Sequence, residues 1–67
     1  MQLQINGNRR EIAAAASTLA AVLGVLELGD KRIAVELNGA IVPRTRYADT
    51  PVKDGDRLEI VGAVGGG

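Results

Sequence analysis

Alternating polar and apolar residues mark three segments of the chain as half-buried strands. These segments are residues 2–6, 33–37 and 57–61. In the last segment Leu58 and Ile60 face inward, whereas Arg57, Glu59 and Val61 face outward. Together the three segments predict a sheet with one buried face and one exposed face.

Two Asn-Gly pairs connect these strands to shorter ones, because Asn-Gly favours the two-residue turn whose twist matches a hairpin. After Asn6-Gly7 a return strand is predicted over residues 9–13, with its isoleucine facing inward. After Asn38-Gly39 a short strand is predicted over residues 40–42. The pattern therefore contains two hairpins and a separate final strand.

The segment between the second hairpin and the final strand is irregular. Pro43 ends the preceding strand or marks it as an edge strand, since proline cannot donate to a ladder. One short helical turn is predicted over residues 44–47, and Asp54-Gly55-Asp56 makes a third turn. The two aspartates lack the further ligands of a calcium loop, so we interpret them as parts of a solvated turn.

A single helix is predicted between the hairpins. Ser17 and Thr18 are candidate N-caps, because their hydroxyls can accept an unpaired backbone N–H. A continuous apolar stripe follows at helical spacing and comprises Leu19, Val22, Leu23 and Leu26. Gly29 is predicted to end the helix, and the Ala-rich run 13–16 leaves the preceding loop undefined.

The order of elements is hairpin, helix, hairpin and final strand. One helix covers only one face, which favours an α+β fold with a mixed four- to five-stranded sheet and one main helix packed on one face. If the final strand runs parallel to the first at the centre, the arrangement is the ubiquitin-like β-grasp. We predict a domain over residues 1–63 and a flexible glycine tail over residues 64–67.

Composition narrows the possible functions. The 67 residues include no Cys and no His, which removes disulfides, the usual zinc ligands and nucleophilic triads. Eight basic and eight acidic residues cancel without forming blocks, which argues against nucleic acid. No signal-peptide core or membrane-length apolar run occurs. We therefore expect a cytoplasmic protein that is not an enzyme and holds neither a metal nor a cofactor.

The remaining chemical group is the carboxylate after Gly65-Gly66-Gly67. Glycine has no Cβ, so this backbone can enter a narrow channel that side chains would block. The carboxylate is ionised at neutral pH and reacts only if a partner activates it. A partner with ATP could make an acyl-adenylate, from which a sulfur donor would displace AMP to leave a thiocarboxylate.

Three segments together resemble the thiamine-biosynthesis sulfur carrier proteins, the ThiS family of β-grasp proteins. They are Val35-Glu36-Leu37-Asn38-Gly39, Ile41-Val42-Pro43-Arg44, and Asp54 to Val61 running into Ala63-Val64-Gly65-Gly66-Gly67. The resemblance spans nearly the whole chain and is more diffuse before Arg32.

The resemblance implies a cycle that partner proteins carry out. An adenylating enzyme of the ubiquitin-activating type, using ATP and magnesium, would adenylate Gly67. A sulfur donor system, with sulfur ultimately from cysteine, would convert it to a thiocarboxylate for thiazole synthase. Gly65 and Gly66 would enter both partners' active sites, while Val61, Ala63 and Val64 would dock on the partner.

Three other functions stay open from the residues. The small subunit of molybdopterin synthase is similar and also ends in Gly-Gly, although it tends to be longer. A ubiquitin-like protein modifier would use the same tail for an isopeptide bond. A plain interaction module would carry the glycines only as a frayed end.

Overall fold

In the part of the chain that the structure describes, five strands form one mixed sheet, and one α-helix packs against one of its faces. The computed structural model describes residues 1–29 and 31–62. The strands are β1 Gln2–Ile5, β2 Asn8–Glu11, β3 Ile33–Leu37, β4 Ala40–Val42 and β5 Arg57–Gly62; the helix α1 spans Leu19–Val25, and a 3₁₀ helix spans Arg44–Asp49. The sheet order is β2-β1-β5-β3-β4. Among the described strands only β1 and β5 pair in parallel, at the centre, which confirms the predicted β-grasp topology.

Both predicted Asn-Gly turns are present as two-residue hairpin loops. The register pairs Ile5 with Asn8 across the first loop and Leu37 with Ala40 across the second. Both central residues of each loop have positive φ, 52° and 82° at Asn6-Gly7 and 52° and 88° at Asn38-Gly39. This is the type I′ turn, in which Asn and Gly tolerate a conformation that other residues disfavour.

The core lies between the sheet and α1. The fully buried side chains of Leu3, Val35 and Leu58 come from three neighbouring strands. Leu19, Val22 and Leu23 of α1 pack against them, and Leu26 is partly buried, so the predicted apolar stripe is confirmed. Thr18 is the N-cap, and its hydroxyl accepts a hydrogen bond from the Ala21 N–H at 3.2 Å.

The helix ends earlier than predicted, at Val25 instead of near Gly29. Glu27 adopts a left-handed conformation with φ of 61°. Its N–H donates to the Gly24 carbonyl at 3.0 Å, and the Leu28 N–H donates to the Leu23 carbonyl at 2.8 Å. This is a Schellman C-cap in which glutamate occupies the position that glycine usually takes.

Glu27→Gly should therefore stabilise the domain. The left-handed conformation costs a non-glycine residue about 1 kcal/mol, which glycine avoids. For a domain of this size the melting temperature should rise by about 4–8 °C per kcal/mol. Thermal unfolding followed by circular dichroism measures the shift. Glu27→Ala is the control, since it removes the charge and keeps the strain; an equal rise in both variants would contradict this explanation.

Two other local predictions need correction, and the loop that was left undefined has a defined turn. β2 ends at Glu11, one residue before Ile12, although Ile12 is buried as predicted. The short helical turn is a 3₁₀ helix that extends to Asp49 and packs against α1. The Ala-rich run makes a turn in which the Ala16 N–H donates to the Ala13 carbonyl at 2.9 Å.

The predicted solvated turn before β5 is wrong for one of its aspartates. Asp56 is only 8% exposed. Its carboxylate accepts hydrogen bonds from the Lys53 N–H at 2.9 Å and from Asn38 Nδ2 at 3.1 Å. Asp54 is exposed and accepts a bond from the Gln2 N–H. Both aspartates therefore tie the turn to the sheet by hydrogen bonds.

Candidate functional site

The candidate site begins where β5 leaves the sheet. β5 is the central strand, between β1 and β3. On the β3 side its pairing continues to the end, with Gly62 opposite Ile33. On the β1 side the ladder ends with Ile5 opposite Leu58. The predicted site residues that follow, Ala63, Val64, Gly65, Gly66 and Gly67, lie outside the described residues.

Asn6 extends the pairing of β5 beyond the end of β1. Its backbone N–H donates to the Leu58 carbonyl at 2.9 Å. Its side chain accepts from the Ile60 N–H at 2.6 Å and donates to the Ile60 carbonyl at 3.0 Å. The amide thus satisfies both backbone groups of Ile60, as a residue of a neighbouring strand would.

Asn38 makes the corresponding contact at the beginning of β5. Its backbone N–H donates to the Arg57 carbonyl at 2.7 Å, and its side-chain oxygen accepts from the Arg57 N–H at 2.9 Å. The two type I′ turns therefore each present an asparagine to β5, one at either end of the strand. Neither contact was predicted, because the Asn-Gly signal concerns only the local turn.

The open face of the sheet carries the predicted docking residue Val61. Its side chain is 61% exposed, and its cross-strand partner is Ala34. Farther along the same face Ile41 is 75% exposed and lies opposite Glu36, which in turn lies opposite Glu59. The open face therefore combines exposed aliphatic side chains with two directly opposed carboxylates.

Two opposed carboxylates on an exposed sheet repel one another and disfavour the fold slightly. Neither Glu36 nor Glu59 makes an ion pair within residues 1–29 and 31–62, where the salt bridge found joins the Met1 ammonium to Glu11. A partner surface that brings a lysine or arginine to this point would relieve the repulsion. Val61 lies two residues after Glu59 on the same face, next to the start of the glycine tail.

Metal-ligating side chains do not converge within residues 1–29 and 31–62. Among the residues described, no three His, Cys, Asp or Glu side chains are placed to hold a metal ion. A groove between the end of α1 and the sheet has a mixed lining, in which aliphatic side chains alternate with the polar side chains of Asn6, Arg10 and Glu27. Over the same described ranges, no helix has the length and apolarity needed to cross a membrane.

Comparison with known proteins identifies the family. The model of the ThiS family matches residues 3–67 of this chain. The chain belongs to the ThiS family. The match includes the Ala63–Gly67 segment as well as the sheet and helix. It confirms the resemblance found in the three sequence segments, including the region before Arg32 where that resemblance is more diffuse.

Two ThiS relatives match this chain over most or all of their length. The sulfur carrier protein ThiS of Bacillus subtilis is 35% identical over 65 residues, covering 97% of this chain and 98% of that protein. The crystal structure of ThiS from Geobacter metallireducens superposes with a TM-score of 0.84, at 35% identity and with both chains fully covered. The predicted ThiS β-grasp fold and the membership of a sulfur-carrier family are thereby confirmed.

A third relative differs in length. The thiazole synthase of Paramagnetospirillum magneticum is 48% identical over 67 residues, which is all of this ThiS-family chain and 20% of that enzyme. A thiazole synthase of Magnetococcus marinus also matches over 20% of its length. The chain thus spans about a fifth of the length of these two enzymes.

Proposed function

We propose that this chain is a sulfur carrier for thiamine biosynthesis, with the sulfur held as a thiocarboxylate on Gly67. Its membership of the ThiS family carries the proposal. The Gly65-Gly66-Gly67 sequence supports it, because a backbone without Cβ atoms fits a narrow active-site channel. The absence of Cys supports it as well, since no side chain of this protein can hold sulfur as a persulfide.

The loading reaction takes place in two steps on a partner enzyme. The Gly67 carboxylate attacks the α-phosphate of ATP, forms an acyl-adenylate and releases pyrophosphate. A sulfide equivalent then attacks the acyl carbon, and AMP leaves, so that one carboxylate oxygen is replaced by sulfur. The chemistry requires Gly67 to be the last residue of the mature protein. ATP and magnesium belong to an adenylating enzyme of the ubiquitin-activating type.

Thiazole synthase is the proposed recipient of the sulfur. Two thiazole synthases contain a segment similar to this whole chain, which favours an association between the two functions. The carrier itself performs no bond rearrangement in this scheme, since its reactive group is activated and discharged by partners. It acts in the cytoplasm, where ATP and the partner enzymes are available.

Intact mass tests the proposal directly. The purified protein is incubated with the adenylating enzyme of its source organism, ATP, magnesium and sulfide. We expect a mass increase equal to the exchange of one oxygen for one sulfur. A protein that ends at Gly66 is the control and should show no increase. An adenylate that never takes up sulfur would overturn the proposal and favour a protein modifier.

Docking of the carrier on the adenylating enzyme is assigned to the open face next to the tail, with Val61, Ala63 and Val64 as contacts. The described part of this surface supports the assignment through the exposure of Val61 and the opposed carboxylates Glu36 and Glu59. A complementary partner surface would present an apolar patch beside a basic side chain.

Val61→Glu should weaken this docking without unfolding the carrier. Val61 is exposed in the free protein, so its replacement costs little stability, whereas a buried carboxylate at an interface is unfavourable. We expect affinity for the adenylating enzyme to fall about tenfold or more by calorimetry, as for a contact residue of an interface. Val25→Glu is the matched control, because Val25 is 53% exposed on α1, away from the open face. Equal affinities for the two variants would contradict the assignment.

A further inference from the structure

The hydrogen bonds of β5 differ on its two sides near the tail. On the β3 side, backbone pairing holds the strand as far as Gly62. On the β1 side, the backbone ladder ends at Leu58, and the next two bonds to the strand come from the Asn6 side chain to Ile60. Asn6 and Ile60 lie 54 positions apart in the sequence. Within the described residues, the Asn6 amide thus makes the last hydrogen bonds to β5 from the β1 side.

We infer that Asn6 is a positioning residue, which limits the directions in which β5 can leave the sheet at Gly62. The inference rests on the proposed function, in which Gly67 must reach ATP while the open face is docked on the partner. Only Val61 and Gly62 separate Ile60 from the residues that lead to Gly67. A strand that is hydrogen-bonded on both sides near Ile60 has less freedom to bend there than a strand that is held only by β3.

The effect should appear in the rate of adenylation and not in docking. The open-face residues Val61, Glu36 and Glu59 do not contact the Asn6 amide through any hydrogen bond described, so the docking surface stays intact without it. Once the carrier is docked, fewer complexes would place the carboxylate at the α-phosphate. Misplacement of a reacting group by a small distance is sufficient to lower a rate strongly.

Asn6→Gly removes the amide and keeps the turn. Position 6 has a φ of 52°, and a type I′ turn accepts glycine at both central positions. The backbone bond from residue 6 to the Leu58 carbonyl is retained, since it needs no side chain. The variant therefore isolates the two bonds to Ile60.

The second hairpin provides a matched control. Asn38→Gly makes the same replacement at the same turn position, where φ is also 52°. It also removes two side-chain hydrogen bonds, to the Arg57 N–H and to the Asp56 carboxylate. These lie at the beginning of β5, at the opposite end from the tail. A purely structural role of the turn asparagines would affect both variants alike.

The experiment measures pyrophosphate release by the source organism's adenylating enzyme as the carrier concentration is varied, with ATP and magnesium saturating. For Asn6→Gly we expect kcat to fall about tenfold while KM for the carrier stays near the native value. For Asn38→Gly we expect both constants to stay near the native values. Thermal unfolding of both variants provides the stability against which the rates are compared.

Any result other than these expected ones overturns the inference. A native kcat for Asn6→Gly would show that the exit direction does not limit adenylation. Equal losses in the two variants, or losses that follow their melting temperatures, would show that the asparagines only support the fold. If the native protein itself releases no pyrophosphate, the proposed function fails, and the inference fails with it. The native protein thus distinguishes failure of the proposed function from failure of the inference alone, which appears only in the variants.

Discussion

A variant with one alanine appended after Gly67 will take up no measurable sulfur, although it binds the adenylating enzyme as the native protein does. The extra residue moves the carboxylate along the chain by up to about 3.5 Å, away from the position that the native carboxylate reaches. A displacement of this size costs about 100-fold or more in a reaction that depends on alignment. Binding should persist, because the open face and β5 are unchanged.

Intact mass measures the loading of this variant, and calorimetry measures its binding. Gly67→Ala is the control, since it adds a Cβ but keeps the carboxylate at the native chain length. The comparison separates the effect of length from the effect of bulk. Loading of the extended variant at the native rate would exclude the terminal carboxylate of residue 67 as the sulfur carrier. Loss of both binding and loading would point to a disturbed docking surface.

The largest effect on stability is expected for Leu58→Ala. Leu58 is fully buried in the central strand β5, where it packs in the core between the sheet and α1. Truncation of a buried leucine to alanine costs about 2–5 kcal/mol. A domain of this length has a total stability of only about 3–10 kcal/mol, at roughly 0.05–0.15 kcal/mol per residue. The variant should therefore be marginally folded or unfolded at 37 °C.

Urea denaturation measures the free energy of unfolding of this variant. Val61→Ala is the control, because Val61 belongs to the same strand but is exposed. Its unfolding free energy should change by about 0.5 kcal/mol or less. Similar losses for the two variants would indicate that the strand contributes through its backbone pairing and not through the burial of Leu58.

The elements that could be predicted from the sequence are those that local physics determines. Asn6-Gly7 and Asn38-Gly39 require positive φ at both positions, and few other residue pairs tolerate that conformation. The aliphatic stripe of α1 and the alternation in β3 and β5 have periods that differ enough to be distinguished. The parallel pairing of β1 with β5 was the condition for the predicted β-grasp arrangement, and the structure meets it.

The failures involve tertiary contacts that local rules ignore. Gly29 has the residue type expected at a helix end, yet the helix ends at Val25 because Glu27 accepts the left-handed conformation and Leu28 caps Leu23. Asp56 has the composition of a solvated turn, yet it is buried because Asn38 and the Lys53 N–H satisfy its carboxylate. In each case hydrogen bonds made in the folded chain override the residue preference.

In the candidate site, too, the features that depend on local pattern could be predicted, and those that depend on tertiary contacts could not. The alternation of β5 predicted that Val61 is exposed, and the structure confirms this exposure; its docking role was implied only by the family resemblance. Its docking role stays a prediction, as do the roles of the glycines. The Asn6 contact with Ile60 could not be predicted, because it depends on two distant segments becoming neighbours in the sheet.

The central position of β5 also determines how the protein must fold. In the described sheet β5 lies between the β1–β2 hairpin and the β3–β4 hairpin and pairs with both. Without β5, the two hairpins are not joined in one sheet. Folding therefore has to join the first and last strands, which lie nearly the whole chain apart, and such non-local pairing is slow. A nascent chain that has not yet released residues 57–62 from the ribosome can form two separate hairpins but no complete sheet. The domain that presents the tail can thus assemble only after the segment next to the tail has been synthesised.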